Sequence, residues 1–444
     1  MFPLKEEKNK VITMGEVLII NDYDVSELDT AYCSVFQELA KALNAKIINV
    51  NDAIKNMQFQ VISAQPYRYC EIDYSLYVTE YLKKYELLNN VDAIIMNEKI
   101  AFFAGELKSK VYVWHQKPYK EQGEMVEQLK ILDFNQYSHL KNVMWRLASP
   151  KAKNVFHIAC SNYMKKYFKE TYEEEVDEVI EFGLDLDYWK EFPKEIKQEL
   201  KKKYNLPENK KIGIIVSRFK PEKWLLVPLI INELGDKDYH WIIVLAEKNT
   251  NFTDIKSENV TIFNYADKKV LRELYNCVDF GLFASSREGF CLAACECLAC
   301  NTPIVASKTG IFFDMHLSPD FDYCDTYQIR KEKVLKYNEV GEPALDENGH
   351  QQFEEIEKQI VKRVQLNPIA GEFIGCAKNF DTGKYNWDYH LYVDAVKKLV
   401  SQQDKDSITG EITPVWYESR KVLLQFNISV RNMILKWKKL LQIK

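Results

Sequence analysis

Short, almost wholly apolar runs recur along this chain, each followed by an amphipathic stretch of helical period. That alternation restricts the fold more than any other feature. In the first half the runs are VLII from Val17, AKIINV from Ala45, DAIIM from Asp92, VYVW from Val111 and VFHIAC from Val155. In the second they are KIGIIVS from Lys211, HWIIVLA from His240, NVTIF from Asn259, DFGLFAS from Asp279 and PIVAS from Pro303. Strands that are apolar on both faces are parallel strands covered by helices, and a parallel connection needs a crossover helix, as in SELDTAYCSVFQELAKAL. The reading is two α/β layers in series, each a Rossmann-like βαβ domain. The rhythm breaks at KEFPKEIKQELKKKYNLPENKK, which is charged, holds Pro193 and Pro207, and has few apolar residues. It divides an N-terminal domain over 1–190 from a C-terminal domain over 211–385, with 191–210 as linker. At 444 residues and 46% hydrophobic content, the chain can fill two cores. The segment 317–359, charged and weakly periodic, reads as a decorated loop of the second domain.

The bulk properties exclude several classes. A net charge of −5 disfavours a surface built to coat nucleic acid. Ten irregularly spaced cysteines suit reduced thiols, and MFPLKEEKNK has no apolar signal core, so a cytoplasmic location is expected. No apolar stretch is long enough to span a bilayer. There is no G-x-x-x-x-G-K-[ST] or G-x-G-x-x-G loop, which disfavours an NTPase or a dinucleotide oxidoreductase. Cys291, Cys295, Cys297 and Cys300 lie on one predicted helix that cannot turn four sulfurs to one ion, so they read as packing. Asp185 with Asp187, and Asp22 with Asp24, imitate the D-x-D of metal-dependent transferases but are short acidic pairs in turns.

SSREGFCLAACECLACNTPIVAS, from Ser285, carries the chemistry. A strand ending near Ser285 and a helix from Phe290 to Cys300 make SREG the turn between them, at the sheet edge where ligands collect in open parallel sheets. The helix start attracts an anion, and Gly289 lets a ligand approach the backbone. Glu288 and Glu296 are separated by about 12 Å of helical rise, too far to pinch one metal. They could hold hydroxyls at the two ends of a ligand with an anionic middle, as a nucleotide diphosphate sugar has. SRFKPEKW, after the first strand of the second domain, adds Arg218 and Lys223 for the diphosphate.

R-x4-K followed by that E-x7-E region resembles retaining glycosyltransferase family 4, of GT-B fold. VDEVIEFGLDLDYW is similar to the family's "NGVD" passage, and KKVLRELYNCVDFGLFASSREGF to its run into the signature. NVFHIACSNYMKKYF is similar to a serine-bearing passage late in the first domain, and NWDYHLYVDAVKKL to its closing helix. The resemblance implies two Rossmann-like domains facing each other across a cleft. It also implies a helix over 386–400 that crosses back to the N-terminal domain, leaving 401–444 as a tail. Arg218 and Lys223 would grip the donor diphosphate, and Glu296 the ribose. Glu288, Gly289, Phe290, Cys291 and Leu292 would line the donor sugar and diphosphate, and His115 would touch the sugar from the other domain. The implied activity is retaining transfer of a sugar from a nucleotide diphosphate sugar to a glycan, lipid-linked or protein-linked acceptor hydroxyl. No cofactor is expected, and no metal, because cations and a helix dipole serve the leaving group. Departures are Phe182 in place of the "NGVD" asparagine, Asn301 in place of a glycine, a glycine-free IINDYDVSELDTAY, and VLAEKNT in place of a glycine turn.

Three other readings stay open. A nucleotide-sugar 2-epimerase would release an altered sugar without an acceptor, and a DNA-modifying glycosyltransferase would bind duplex salt-sensitively. A catalytically silent scaffold would turn over no donor. The tail ends in SRKVLLQFNISVRNMILKWKKLLQIK, a basic amphipathic helix with Leu423, Phe426, Val430, Met433, Ile434, Trp437, Leu440 and Leu441 on one face. It could pack on the protein itself, on a second subunit, or on an anionic cytoplasmic membrane face through 420–444.

Overall fold

The computed structural model describes residues 15–21, 31–49, 70–118, 152–218, 221–245, 259–317, 323–336, 346, 351–365, 371–374, 388–401, 403–405, 412–414 and 419–443. The first sheet holds β1 (Glu16–Asn21), β2 (Lys46–Asn49), β3 (Val91–Asn97), β4 (Lys110–His115), β5 (Val155–Ala159) and the two-residue β6 (Glu178–Val179). Their order is β2-β1-β3-β4-β5-β6, every pair parallel. Helices α1 (Ala31–Leu43), α2 (Cys70–Leu88) and α3 (Asn162–Tyr172) belong to this half. In β3 and β4, Ile94, Ile95, Met96, Val111, Val113 and Trp114 are all inaccessible to solvent, so the strands are covered on both faces as their unbroken apolar runs required.

The second sheet has the same build. It contains β7 (Lys211–Ser217), β8 (Tyr239–Leu245), β9 (Val260–Phe263), β10 (Phe280–Phe283), β11 (Ile304–Ser307) and, beyond these, β14 (Gly371–Ile374). The order is β14-β11-β10-β7-β8-β9, again parallel throughout. Strand order reverses between β7 and β10. The chain leaves those two neighbours in opposite lateral directions, which opens a crevice beyond their carboxyl ends. All ten strands expected from the apolar runs are present, within a few residues.

The passage 191–210 contains α4 (Lys194–Lys203), docked on α7 (Lys268–Cys277) by Lys203 to Glu273 and by Tyr204 Oη donating to Glu273 at 2.5 Å. Two expectations are corrected. The segment 317–359 is not an irregular loop. Two 13-residue strands, β12 (Tyr323–Leu335) and β13 (Phe353–Gln365), pair antiparallel as a ribbon of their own. The helix expected to cross back to the first domain, α10 (His390–Ser401), stays on the second sheet. There Tyr392, Val393 and Val396 are buried in that domain's core, and Tyr392 Oη meets Ser307 Oγ at 2.7 Å.

The tail makes the crossing instead. Arg420 opens α11 (Arg420–Gln425) and donates to the carbonyls of Leu186 and Trp189 in the interdomain passage and of Ala299 in the second domain. Asn301 takes up the Arg420 N–H through Oδ1 and donates to Glu191 through Nδ2, so the residue standing where the resembled motif has a glycine serves as a bridge. Then α12 (Val430–Leu441) lies on the first domain. Trp437 is fully buried, its ring 5.2 Å from Trp114 and 6.1 Å from Tyr112, and Met433 Sδ accepts from the Gly183 N–H. The amphipathic face offered to a membrane by the sequence is therefore spent on the protein's own body. Among the described residues no helix is long and apolar enough to cross a membrane.

Candidate functional site at the mouth of the second sheet

Arg218 directly follows β7, and its carbonyl accepts from Ser217 Oγ at 3.0 Å and Trp224 Nε1 at 2.9 Å. The second bond ties Arg218 to α5 (Pro221–Trp224), which carries Lys223 and is followed by α6 (Val227–Leu234). The turn after β10 lies beside this lysine. Lys223 Nζ pairs with Glu288 Oε1, and the two side chains are only 17% and 14% exposed. Ser285 Oγ donates to the same carboxylate oxygen at 2.9 Å. Two charges so shielded interact more strongly than a surface pair. Residues 65 apart in sequence thus meet because β7 and β10 adjoin at the reversal of strand order.

The main chain of the turn is held on several sides. Thr309 Oγ1 accepts the Glu288 N–H at 2.9 Å, and Ile311 N–H donates to the Phe290 carbonyl at 3.1 Å. The Gly289 carbonyl accepts from Ser161 Oγ at 2.7 Å and Cys160 Sγ at 3.3 Å, both from the other domain. Arg287, 7% exposed, donates to the Pro118 carbonyl at 3.1 Å, also across the cleft. Phe182, in place of the asparagine of the resembled "NGVD" passage, sets its ring 5.3 Å from Phe290 and 4.6 Å from Trp114. Cys291 takes the left-handed conformation at φ 79°, which costs a non-glycine residue roughly 1–2 kcal/mol. Such strain collects where surroundings over-determine a site.

Helix α8 (Leu292–Ala299) begins two residues later than the sequence suggested and carries Glu296, 4% exposed. Glu296 and Leu292 line a cavity of about 340 Å³ whose other walls come from Ser34 of α1, the passage 183–189, residues 267–269 at the start of α7, and Val430 of the tail. The buried Cys291 thiol registers three of the charges: burial raises its pKa first, Glu288 raises it further, Lys223 lowers it and Glu296 raises it. Lys223 and Glu288 are in direct contact, while Glu296, one to two turns along α8, faces the cavity. The four cysteines of this stretch are buried free thiols, with Cys297 Sγ packed over Gly281 of β10. Asp185 Oδ1 accepts the N–H groups of Asp187 and Tyr188 at 3.0 Å, which makes the D-x-D look-alike a turn cap. Asp22, Asp24 and residues 246–250 lie outside the described residues.

His115 stands at the end of β4 but is not open to the cleft. It is 3% exposed, its Nε2 lies 3.0 Å from His157 Nδ1, and both rings pack on Phe168. Desolvation, and then the neighbouring ring, hold its pKa well below the usual histidine value; burial alone takes His157 down to about 4. It is the next residue, Gln116, that meets the turn after β10: a Cβ on Gly289 would sit 1.7 Å from the Gln116 carbonyl oxygen. Arg287 and Ser161 were missed as site residues. Only the serine-bearing passage as a whole pointed toward Ser161.

Comparison with known proteins adds the following. Residues 196–316 match the model of the family described as "Glycosyl transferases group 1". A search of curated protein sequences gave no match. Among solved structures, sucrose-phosphate synthase from Thermosynechococcus elongatus is similar at a TM-score of 0.65 and 13% identity, over 97% of this chain and 98% of that one. HepE from Anabaena in complex with UDP-glucose gives 0.58 and 12%, over 97% and 100%. A glycosyltransferase from Rickettsia africae ESF-5 gives 0.55 and 16%, over 96% and 97%. At such identities the likeness carries the fold, and the fold is GT-B: two parallel-sheet α/β domains facing each other across a cleft.

Proposed function

We propose that this chain is a retaining glycosyltransferase moving a sugar from a nucleotide diphosphate sugar to an acceptor hydroxyl, in glycan, polysaccharide or glycolipid assembly. The observation that carries the reading is the pairing of Lys223 with Glu288, both shielded, at the reversal of strand order. Each is the other's partner, so a ligand that replaces the pair must offer an anion to the lysine and a hydroxyl to the glutamate side by side. A sugar diphosphate does so. The match over 196–316, which contains both residues and Glu296, supports the same assignment, as does the fold shared with HepE, whose structure holds UDP-glucose.

In this reading Arg218 and Lys223 hold the diphosphate, Glu288 takes a sugar hydroxyl and Glu296 the ribose. Gly289, Phe290, Cys291 and Leu292 shape the floor. Among the described residues the N–H groups of Gly289 and Phe290 have no protein acceptor, while both carbonyls are engaged. They are donors for the charge that builds on the β-phosphate as the bond to the sugar breaks. Cations and these N–H groups meet that charge, so no step is given to a metal. Retention follows if the acceptor attacks from the leaving-group face and a phosphate oxygen takes its proton. His115 enters as the N-terminal domain's residue beside Gln116, the point of contact with the donor turn. An anionic membrane would be met by the outer line of α12, Arg431, Leu435 and Lys439, which are exposed.

A thermal-shift panel of UDP-, GDP-, ADP- and dTDP-sugars tests the reading, because a ligand at 100 times its Kd stabilises the fold by about 2.7 kcal/mol. At least one donor should raise the melting temperature, and its transferred sugar should keep its anomeric configuration by NMR. No shift with any donor, or release of an epimerised sugar from donor alone, contradicts it.

A further inference from the structure

The hydroxyl of Ser161 has two bonds, one within each domain. As acceptor it caps α3, taking the Met164 N–H at 3.2 Å, and as donor it reaches the Gly289 carbonyl at 2.7 Å. Ser161 has no solvent exposure. A hydrogen bond between neutral groups strengthens when its acceptor is itself a donor onward, so the N-terminal end of α3 polarises the hydroxyl, and the hydroxyl polarises the Gly289–Phe290 peptide. That peptide's own N–H belongs to Phe290, one of the two N–H groups without an acceptor among the described residues. With Thr309 on Glu288 and Ile311 on Phe290, Ser161 completes a frame that fixes the rotation of the peptide plane. Its N–H must then point one way.

We infer that Ser161 is a positioning residue for the transfer reaction: it couples the acceptor-side domain to the donor turn by fixing and polarising the Gly289–Phe290 peptide, whose N–H serves the leaving diphosphate. The inference rests on the glycosyltransferase reading. It assigns to the first domain a direct hold on the second domain's chemistry, made only while the two sheets face each other at this distance. The effect belongs to the transition state, because the N–H is worth most when charge on the β-phosphate is greatest.

Ser161→Gly is the informative variant. Glycine is a tolerated helix cap, so the variant removes the bond to Gly289 while leaving the helix in place. Ser161→Thr keeps the hydroxyl. Using the full chain, with UDP-glucose as the first donor probe and the other panel sugars after it, Ser161→Gly should lower kcat by roughly 10- to 100-fold, with donor KM within about threefold of wild type. Ser161→Thr should recover most of the rate. A kcat for Ser161→Gly within twofold of wild type, or a threonine variant as slow as the glycine one, overturns the inference while the transferase reading stands. If the wild-type chain turns over no donor, the reading fails and the inference with it. If Ser161→Gly melts far below wild type, the serine is a fold residue and the positioning role is rejected.

Discussion

Gly289→Ala is the sharpest perturbation available. Gly289 is not in the left-handed region, so an alanine there meets no backbone penalty of its own and its whole effect is spatial. The added carbon would lie 1.7 Å from the Gln116 carbonyl oxygen, where real Cβ contacts essentially never fall under 3.0 Å, a deficit of at least 1.3 Å (3.0 − 1.7) between two main chains. Neither yields easily. Gln116 N–H is bonded to Glu98 Oε2 at 3.1 Å, and Gly289 is held by Ser161. Relief therefore means parting the domains, which lengthens the 2.7 Å Ser161 bond and the 3.1 Å Arg287–Pro118 bond beyond hydrogen-bonding range. A neutral bond contributes about 1 kcal/mol and one from a charged donor about 1.5–3, so the closed arrangement loses about 3 kcal/mol, some two decades in population. Transfer should fall about 100-fold in kcat/KM, and small-angle scattering should show a larger radius of gyration. A variant with kcat/KM within threefold of wild type and an unchanged radius would refute the close approach.

Other outcomes follow from the same contacts. Lys223→Ala should lower kcat/KM by about 10²–10³, since it removes a cation from the leaving group and leaves the Glu288 carboxylate shielded without its partner; donor kinetics read it directly. Trp437→Ala should cost about 3–5 kcal/mol in urea unfolding, because the indole is fully buried against Tyr112 and Trp114; a change under 1 kcal/mol would return the tail to the solvent or a membrane. His115 and His157 have folded pKa values depressed below the unfolded value near 6.5. Each therefore withholds a proton that the unfolded chain takes up, and stability falls as pH drops from about 6.5 toward about 4, by up to about 1.4 kcal/mol per pH unit for each ring. Denaturant titrations at pH 7 and pH 5 check this, and His157→Gln should flatten the dependence.

Both sheets were legible in the sequence because strands buried on two faces leave continuous apolar runs such as KIGIIVS. The meeting of Lys223 with Glu288 was legible because each lies just past such a run, at neighbouring strand ends where the strand order reverses. What escaped has physical reasons. Among the described residues the strands 323–335 and 353–365 pair with each other and join neither parallel sheet, so YCDTYQIRKEKVL does not carry the continuous apolar run of a parallel-sheet strand. A basic amphipathic helix reads the same whether lipid or protein receives its face, and only Trp437 seated against Trp114 decides it. His115 at a strand end gave no sign of His157, 42 residues on. Nor does anything local to Arg287 or Ser161 reveal a partner in the opposite domain. The departures from the resembled motifs, by contrast, became intelligible once placed: Phe182 fills the seam against Phe290, and Asn301 links Glu191 to Arg420.

A crystal structure of the chain soaked with whichever nucleotide sugar gives the largest thermal shift tests the central claim most directly. The account predicts the diphosphate at Lys223 and Arg218 beside the Phe290 N–H, with Glu288 turned from the lysine to a sugar hydroxyl and Glu296 on the ribose. Density for the nucleotide elsewhere, with the Lys223–Glu288 pair intact, would contradict it.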